Sequence, residues 1–282
     1  MIENKFEMKP GRYTSVTSAE YHNVKWCVGS TGLGHVPASK SSLMKFSKCP
    51  HTWKKGEEFK RTPSMTMGSL VDCICLEPEI FSSEFIMKPD KWDSFRKKEA
   101  REWRDARIAE GWSVITPKMM ADAEQAKKNL LSSHVTGDAI TMSDAQVAYV
   151  VDYKGIYVKG LFDMCPKHDS PYSDSIIDMK RTRARDHEQF TYDILLFGYH
   201  VQAGNYLWLH EQTTGEGRTG FHFVLSESNK PFNASLYTLS DEMIQQGNDR
   251  WFEWLEAYKY CCENDYWPEG PIWENEKLKI QT

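Results

Sequence analysis

The sequence predicts a mixed α/β (α+β) fold, a central mixed β-sheet flanked by helices. Three observations carry this. Residues 145–165, "AQVAYVVDYKGIYVKGLFDMC", are rich in Val, Ile, Tyr and Phe and are broken at "DYKG", which reads as a β-hairpin. Apolar residues recur at helical spacing in "TPSMTMGSLVDCICLEPE" (62–79) and in "SDEMIQQGNDRWFEWLEAYKYCCEN" (240–264). The elements run helices, three strands, helices, two strands, helix, the order of a sheet with helices on its faces.

The first 38 residues are rich in Gly, Ser and Thr and read as an irregular segment. Residues 39–282 read as one domain, mostly helical over 39–140, with the sheet core and a C-terminal helix over 141–282. "SKSSLMKFSKCP" (39–50) starts with a Ser cap and stops at Pro50. In 62–79, Pro63 takes the first turn, and Met67, Leu70, Val71, Ile74 and Cys75 form the apolar stripe. Helices follow at 94–110 and 117–132, the second with Thr116 as cap and Pro117 at its first position. A polar loop, "PKHDSPYSD" (166–174), leads from the hairpin to a short strand, "SIIDMK". Residues 188–212 are helical in pattern, with Gly198 at a break. Strands at 220–227 and 233–240 precede the capped amphipathic helix 240–264.

Of 282 residues, 40% are hydrophobic and 27% charged, enough for a sizeable core. No apolar run reaches the roughly 18 residues that would span a membrane, and "MIENKFEMKPGRYTS" lacks a signal-peptide core, so a cytoplasmic protein is expected. Seven Cys is an odd number for a disulfide framework and fits reduced thiols. The net charge of −5 argues against a whole-surface nucleic-acid binder. It leaves room for a locally basic groove, because only the field at the site steers a ligand. Basic residues cluster at 91–107 and at "KRTRAR", 180–185.

An acid, any residue and Lys occur in that spacing five times: Glu3/Lys5, Glu7/Lys9, Glu58/Lys60, Asp152/Lys154 and Asp178/Lys180. The first three lack a flanking strand, and Asp152/Lys154 leads into Gly155 and reads as turn chemistry. Asp178 and Lys180 sit on a strand, so both point to one face. Asp163 ends the preceding strand, one loop away. Two facing carboxylates repel unless a cation lies between them, and hard oxygen ligands suit Mg²⁺. The bland reading is a strand end salt-bridged to Lys180 and Arg181. Gln202 and Tyr206 share one helix face as Q-x-x-x-Y, and Gly68 and Asp72 form G-x-x-x-D on another helix. Arg181, Arg183 and Arg185 extend in the direction that DNA phosphates would need.

With these motifs in order, the sequence resembles the PD-(D/E)XK nuclease superfamily, in its RecB-like branch, and most closely the RecE-type exonucleases of phages and prophages (exonuclease VIII and its relatives). "SKSSLMKFSKCPHTWK", the 62–85 segment, "KGLFDMC", "IIDMKRT", "FGYHVQAGNYLWL" and "YWPEGPIW" carry the resemblance. It implies Asp163, Asp178 and the Met179 carbonyl as metal ligands and Lys180 as the catalytic lysine. It implies Gln202 and Tyr206 as supports that also contact DNA. Asp72 stands where this branch usually has a His ligand. The cofactor implied is Mg²⁺, with Mn²⁺ as a substitute. No iron–sulfur cluster is expected, since Cys261 and Cys262 are adjacent and no C-x-x-C follows.

The implied activity is Mg²⁺-dependent 5′-to-3′ resection of linear duplex DNA, leaving 3′ tails for a RecT-like single-strand annealing partner. The implied assembly is a toroidal tetramer or trimer, a closed ring that admits only DNA ends. Its channel would be lined by Arg181, Arg183 and Arg185, and by Arg96, Lys97, Lys98, Arg101 and Arg104. Two alternatives stand beside it: a structure-specific or restriction-like endonuclease, and a nuclease-like protein that binds without cleaving.

Overall fold

The computed structural model describes residues 9–14, 16, 21, 36–56, 61–184 and 186–272. The chain runs β1 (Gly11–Tyr13), α1 (Lys40–Phe46), α2 (Pro50–Lys55), α3 (Pro63–Leu76), α4 (Phe81–Glu84), β2 (Phe85–Met87), α5 (Lys98–Ala109) and β3 (Ser113–Ile115). It continues with α6 (Pro117–Ser132), α7 (His134–Thr141), β4 (Ser143–Tyr153), β5 (Ile156–Pro166), β6 (Ser175–Thr182), α8 (His187–Leu196) and α9 (Tyr199–Thr214). Strands β7 (Gly220–Glu227) and β8 (Ala234–Thr238) and helix α10 (Asp241–Asn264) complete it.

Six strands form one sheet in the order β1-β4-β5-β6-β7-β8. All neighbours are antiparallel except β6 and β7, which are parallel, with Asp178 opposite Phe223 and Lys180 opposite Leu225. A parallel pair needs a crossover, and helices α8 and α9 supply it. One face packs on α1, α9 and α10 through Phe46, Phe162, Phe221, Phe223, Trp251 and Tyr258. The other packs on α3, α6 and α7 through Leu70, Val71, Leu130, Met164, Ile177 and Val224. Among the described residues, no helix is long and apolar enough to cross a membrane.

Period-2 alternation decides where β6 points its polar residues. Ile176 enters the α9 side, while Ile177 and Met179 enter the opposite core. Asp178 and Lys180 therefore face α9. Gly198, in the left-handed region at φ 63°, ends α8 and starts α9, as the sequence pattern suggests.

Several local expectations differ from the structure. Pro50 begins a helix rather than ending one, because Cys49 caps α2 through its Sγ and proline suits the first helical position. Residues 11–13, expected to be irregular, pair with β4 at the sheet edge. Helix α5 spans a shorter stretch than the 94–110 expected. Helix α7 and the parallel pair β2–β3 are absent from the sequence reading, being too short to show a period.

Helices α9 and α10 meet backbone to backbone. A Cβ on Gly204 would lie 2.4 Å from the Asn248 nitrogen, and one on Gly247 would lie 1.9 Å from the His200 carbonyl oxygen. Gly247→Ala should therefore cost about 1–3 kcal/mol or more as overpacking, read from urea unfolding. A change within about 0.5 kcal/mol would mean the two helices have room to separate.

Candidate active site

Asp178 lies at the floor of the site, 2% exposed. Its Oδ1 accepts a hydrogen bond from Gln202 Nε2, and its Oδ2 is ion-paired with Lys180 Nζ. Gln202 arrives from α9 and is itself buried. The Lys180 ammonium also lies 3.5 Å from the Met179 carbonyl and 5.1 Å from the centre of the Tyr199 ring. Burial works against the Lys180 charge, but Asp178 and then Asp163 outweigh it and hold the amine above its ordinary value.

Asp163 approaches from β5. The β5–β6 pairing is confined to Met164 and Ile177, a register that would place Asp163 opposite Asp178 if it continued. Instead the Asp163 side chain enters the ladder, and its Oδ2 accepts the Met179 N–H at 2.9 Å. Its Oδ1 accepts from Gln146 Nε2 at 3.4 Å. Gln146 sits at φ 48°, and the β4–β5 ladder skips it together with Asp163. Asp72, half-buried on α3, feels the charges of both Lys180 and Asp178. Burial first, and Asp178 next, raise Asp163 well above the usual carboxylate range. Burial raises Asp72 to about 7, with Asp178 adding and Lys180 opposing.

The other expected residues distribute as follows. Tyr206 donates to the Leu161 carbonyl at 2.8 Å and stacks on Phe162 with ring centroids 4.3 Å apart. Arg181 turns to the face opposite Lys180 and donates to the Ser228 carbonyl at 2.7 Å. Arg183 is exposed after the strand, and Arg185 lies outside the described residues. On α5, Arg101 donates to the Arg96 carbonyl at 2.6 Å, and Arg104 pairs with Asp105 at 2.8 Å.

Three neighbours escaped the sequence reading: Gln146, Tyr199 and Lys40. Lys40 shares the Tyr199 ring with Lys180, at 5.4 Å from its centre. Lys40 and Tyr199 lie within segments that carry the resemblance, but none of the three stands in the D-x-K, Q-x-x-x-Y or G-x-x-x-D spacing, so only proximity in the fold singles them out.

Among the described residues, no three of His, Cys, Asp or Glu stand close enough to hold a metal ion as they are placed. The chemistry of the donors nonetheless fits a hard divalent cation. Two strand carboxylates, a nearby backbone carbonyl and the Asp72 carboxylate are all oxygen, and the acids outnumber the one ammonium paired among them.

An Asp and a D-x-K on adjacent strands of a mixed sheet, backed by a glutamine from the crossover helix α9, define the PD-(D/E)XK class of fold. The chain belongs to the family described as "PDDEXK-like domain of unknown function (DUF3799)", whose model matches residues 39–271. A crystal structure of a "Putative exonuclease" from Eubacterium rectale has a similar fold, with a TM-score of 0.53 and 13% sequence identity. The match covers 86% of this chain and 88% of that one. No curated protein matches the sequence. Family and fold together support a nuclease.

The raised carboxyls make stability depend on pH. For Asp72 the native state holds its proton longer than the unfolded chain does. Its contribution is therefore full below the ordinary value near 4 and is lost as pH rises to about 7. Asp72→Asn should match the parent near pH 4 in chelator and melt higher near pH 8. Discounted for partial exposure, the gain is about 1 kcal/mol, or about 2–4 °C. A parent that melts higher than the variant near pH 8 would contradict the assignment.

Proposed function

We propose that this protein is a metal-dependent, RecE-type exonuclease that resects linear duplex DNA from its 5′ ends and leaves 3′ tails. The observation that supports hydrolysis most directly is the Asp178–Lys180–Gln202 constellation, with Asp163 entering from the adjacent strand. Asp163, Asp178, the Met179 carbonyl and Asp72 would hold the cation. Mg²⁺ fits this all-oxygen set, and Mn²⁺ is the natural substitute. Once bound, such an ion polarises the phosphodiester and lowers the pKa of an attacking water.

The protein's own groups do the rest. Gln202 fixes the Asp178 carboxylate, so the buried acid cannot rotate away from the site. Lys180, held protonated beside the Met179 carbonyl, can orient the attacking water and offset charge that develops on the phosphate. The exonuclease reading draws on the similar fold of the "Putative exonuclease" from Eubacterium rectale and on the order of the sequence motifs. End selectivity cannot come from the chemistry, since internal and terminal phosphates look alike to a cation. A homo-oligomeric ring would provide it by geometry, and an annealing protein would receive the exposed strand.

Purified protein incubated with linear and covalently closed duplex, with and without Mg²⁺, tests this. Linear DNA should shorten only with the metal, and closed circles should survive. Asp178→Ala should fall to background. Lys180→Ala should still bind Mg²⁺ by calorimetry but lose about 100-fold or more in kcat. Closed circles cut as fast as linear DNA would instead make this an endonuclease.

A further inference from the structure

Lys40 begins α1, directly after the capping Ser39. Its ammonium donates to the Phe197 carbonyl at 2.5 Å and sits 5.4 Å from the centre of the Tyr199 ring. Lys180 approaches the same ring at 5.1 Å. Two ammonium groups thus share one aromatic ring, at the corner where Gly198 turns α8 into α9. What neutralises them differs. Lys180 is paired with Asp178, whereas no carboxylate pairs with Lys40 among the described residues. Burial, and then the like charge of Lys180, lower the Lys40 amine to about 7, with Asp178 opposing. Lys40 has no ion-paired carboxylate among the described residues, and an incoming anion would hold its proton.

The helix ending at this corner also turns an apolar face to solvent. Tyr192, Leu195 and Leu196 lie at i, i+3 and i+4 on α8 and so share one side. With Phe197 they are 66, 53, 50 and 44% exposed. The Phe197 ring lies 5.6 Å from that of Tyr199, so the apolar patch runs into the ring that the two lysines share. Exposed rings beside an amine without a carboxylate partner suit one chemical class better than any other. A nucleotide offers an anionic phosphate and a flat apolar base on the same unit. A purely apolar protein surface would leave the ammonium desolvated and unpaired.

We propose that Lys40, Tyr199 and the exposed ring of Phe197 form a subsite for one unpaired nucleotide beside the bond being cut. Lys40 contacts its phosphate, and Phe197 stacks on its base. This rests on the nuclease reading for what happens next door, but binding is measured without cleavage. The subsite would hold a frayed end against the catalytic lysine while the duplex lies outside.

The test is fluorescence titration of a short single-stranded oligonucleotide, carrying 2-aminopurine at one end, in metal-free chelator. The parent should bind it and quench the terminal base. Phe197→Ala should weaken binding about tenfold and relieve the quenching, and Phe197→Trp should restore both. Lys40→Met should weaken binding by a similar factor and lower the salt slope by about 0.7, one phosphate contact on a single strand. Lys40→Arg should recover it. Variants that bind and quench like the parent overturn the subsite. So does a Phe197→Ala protein that loses self-association while its DNA affinity is unchanged, because the patch then faces a second copy of the chain. A parent that cleaves linear duplex while these variants bind normally sinks the subsite alone. A parent that shows this binding but cuts no DNA with any divalent metal sinks the nuclease reading alone.

Discussion

Asp178 is 2% exposed, and a carboxylate at such a position is stable only where fixed partners replace its water. Lys180 comes from the same strand, two residues on, and costs the fold nothing extra in topology. Gln202 comes from α9, so that helix must lie close against the sheet. The approach depends on missing side chains. A Cβ on Gly160 of β5 would meet Leu209 at 2.8 Å and Tyr206 at 3.1 Å, both on α9. On its far side, α9 is pressed by α10 at Gly204 and Gly247. The buried ion pair, the helix that answers it and the close helix contact behind that helix form one chain of dependence.

The charges at the site do not balance, and the imbalance has a direction. Asp178 is matched by Lys180, while Asp163 and Asp72 are raised by burial and by Asp178. Asp178 is sealed, but Asp72, Asp163 and Lys180 are each partly exposed, so the two unmatched acids face an opening. A phosphate set directly against these acids in their ionised form needs a cation between them, because like charges repel strongly where water is scarce. The same geometry makes Lys40 the odd member: an amine on the Tyr199 side with no ion-paired acid among the described residues.

The basic run 180–185 shows why composition alone misleads about a site. Alternation along β6 sends Lys180 toward Asp178 and Arg181 to the opposite face, where it is tied to the Ser228 carbonyl. Adjacent positive charges in sequence thus serve different layers of the molecule. Arg183 keeps an exposed position past the strand end.

Local chemistry along the chain was enough for several elements. Enrichment in Val, Ile, Tyr and Phe marked the β4–β5 hairpin, and the two-residue period of a strand put Asp178 and Lys180 on one face of β6. Thr62 with Pro63 started α3, Thr116 with Pro117 started α6, and Gly198 broke the long helical stretch in two. Motif order was enough to place the chain in its superfamily. Contacts between distant segments arise only once the chain has folded. Asp163 inserting into the β5–β6 ladder depends on Gln146 leaving the β4 register. Residues 11–13 become a strand only because β4 offers an edge. Lys40 joins the site only through Tyr199 and through Phe197, which lies 157 residues away in sequence. No spacing rule reaches that far, since sequence periodicity reports which face a residue takes and not which segment the fold brings against it.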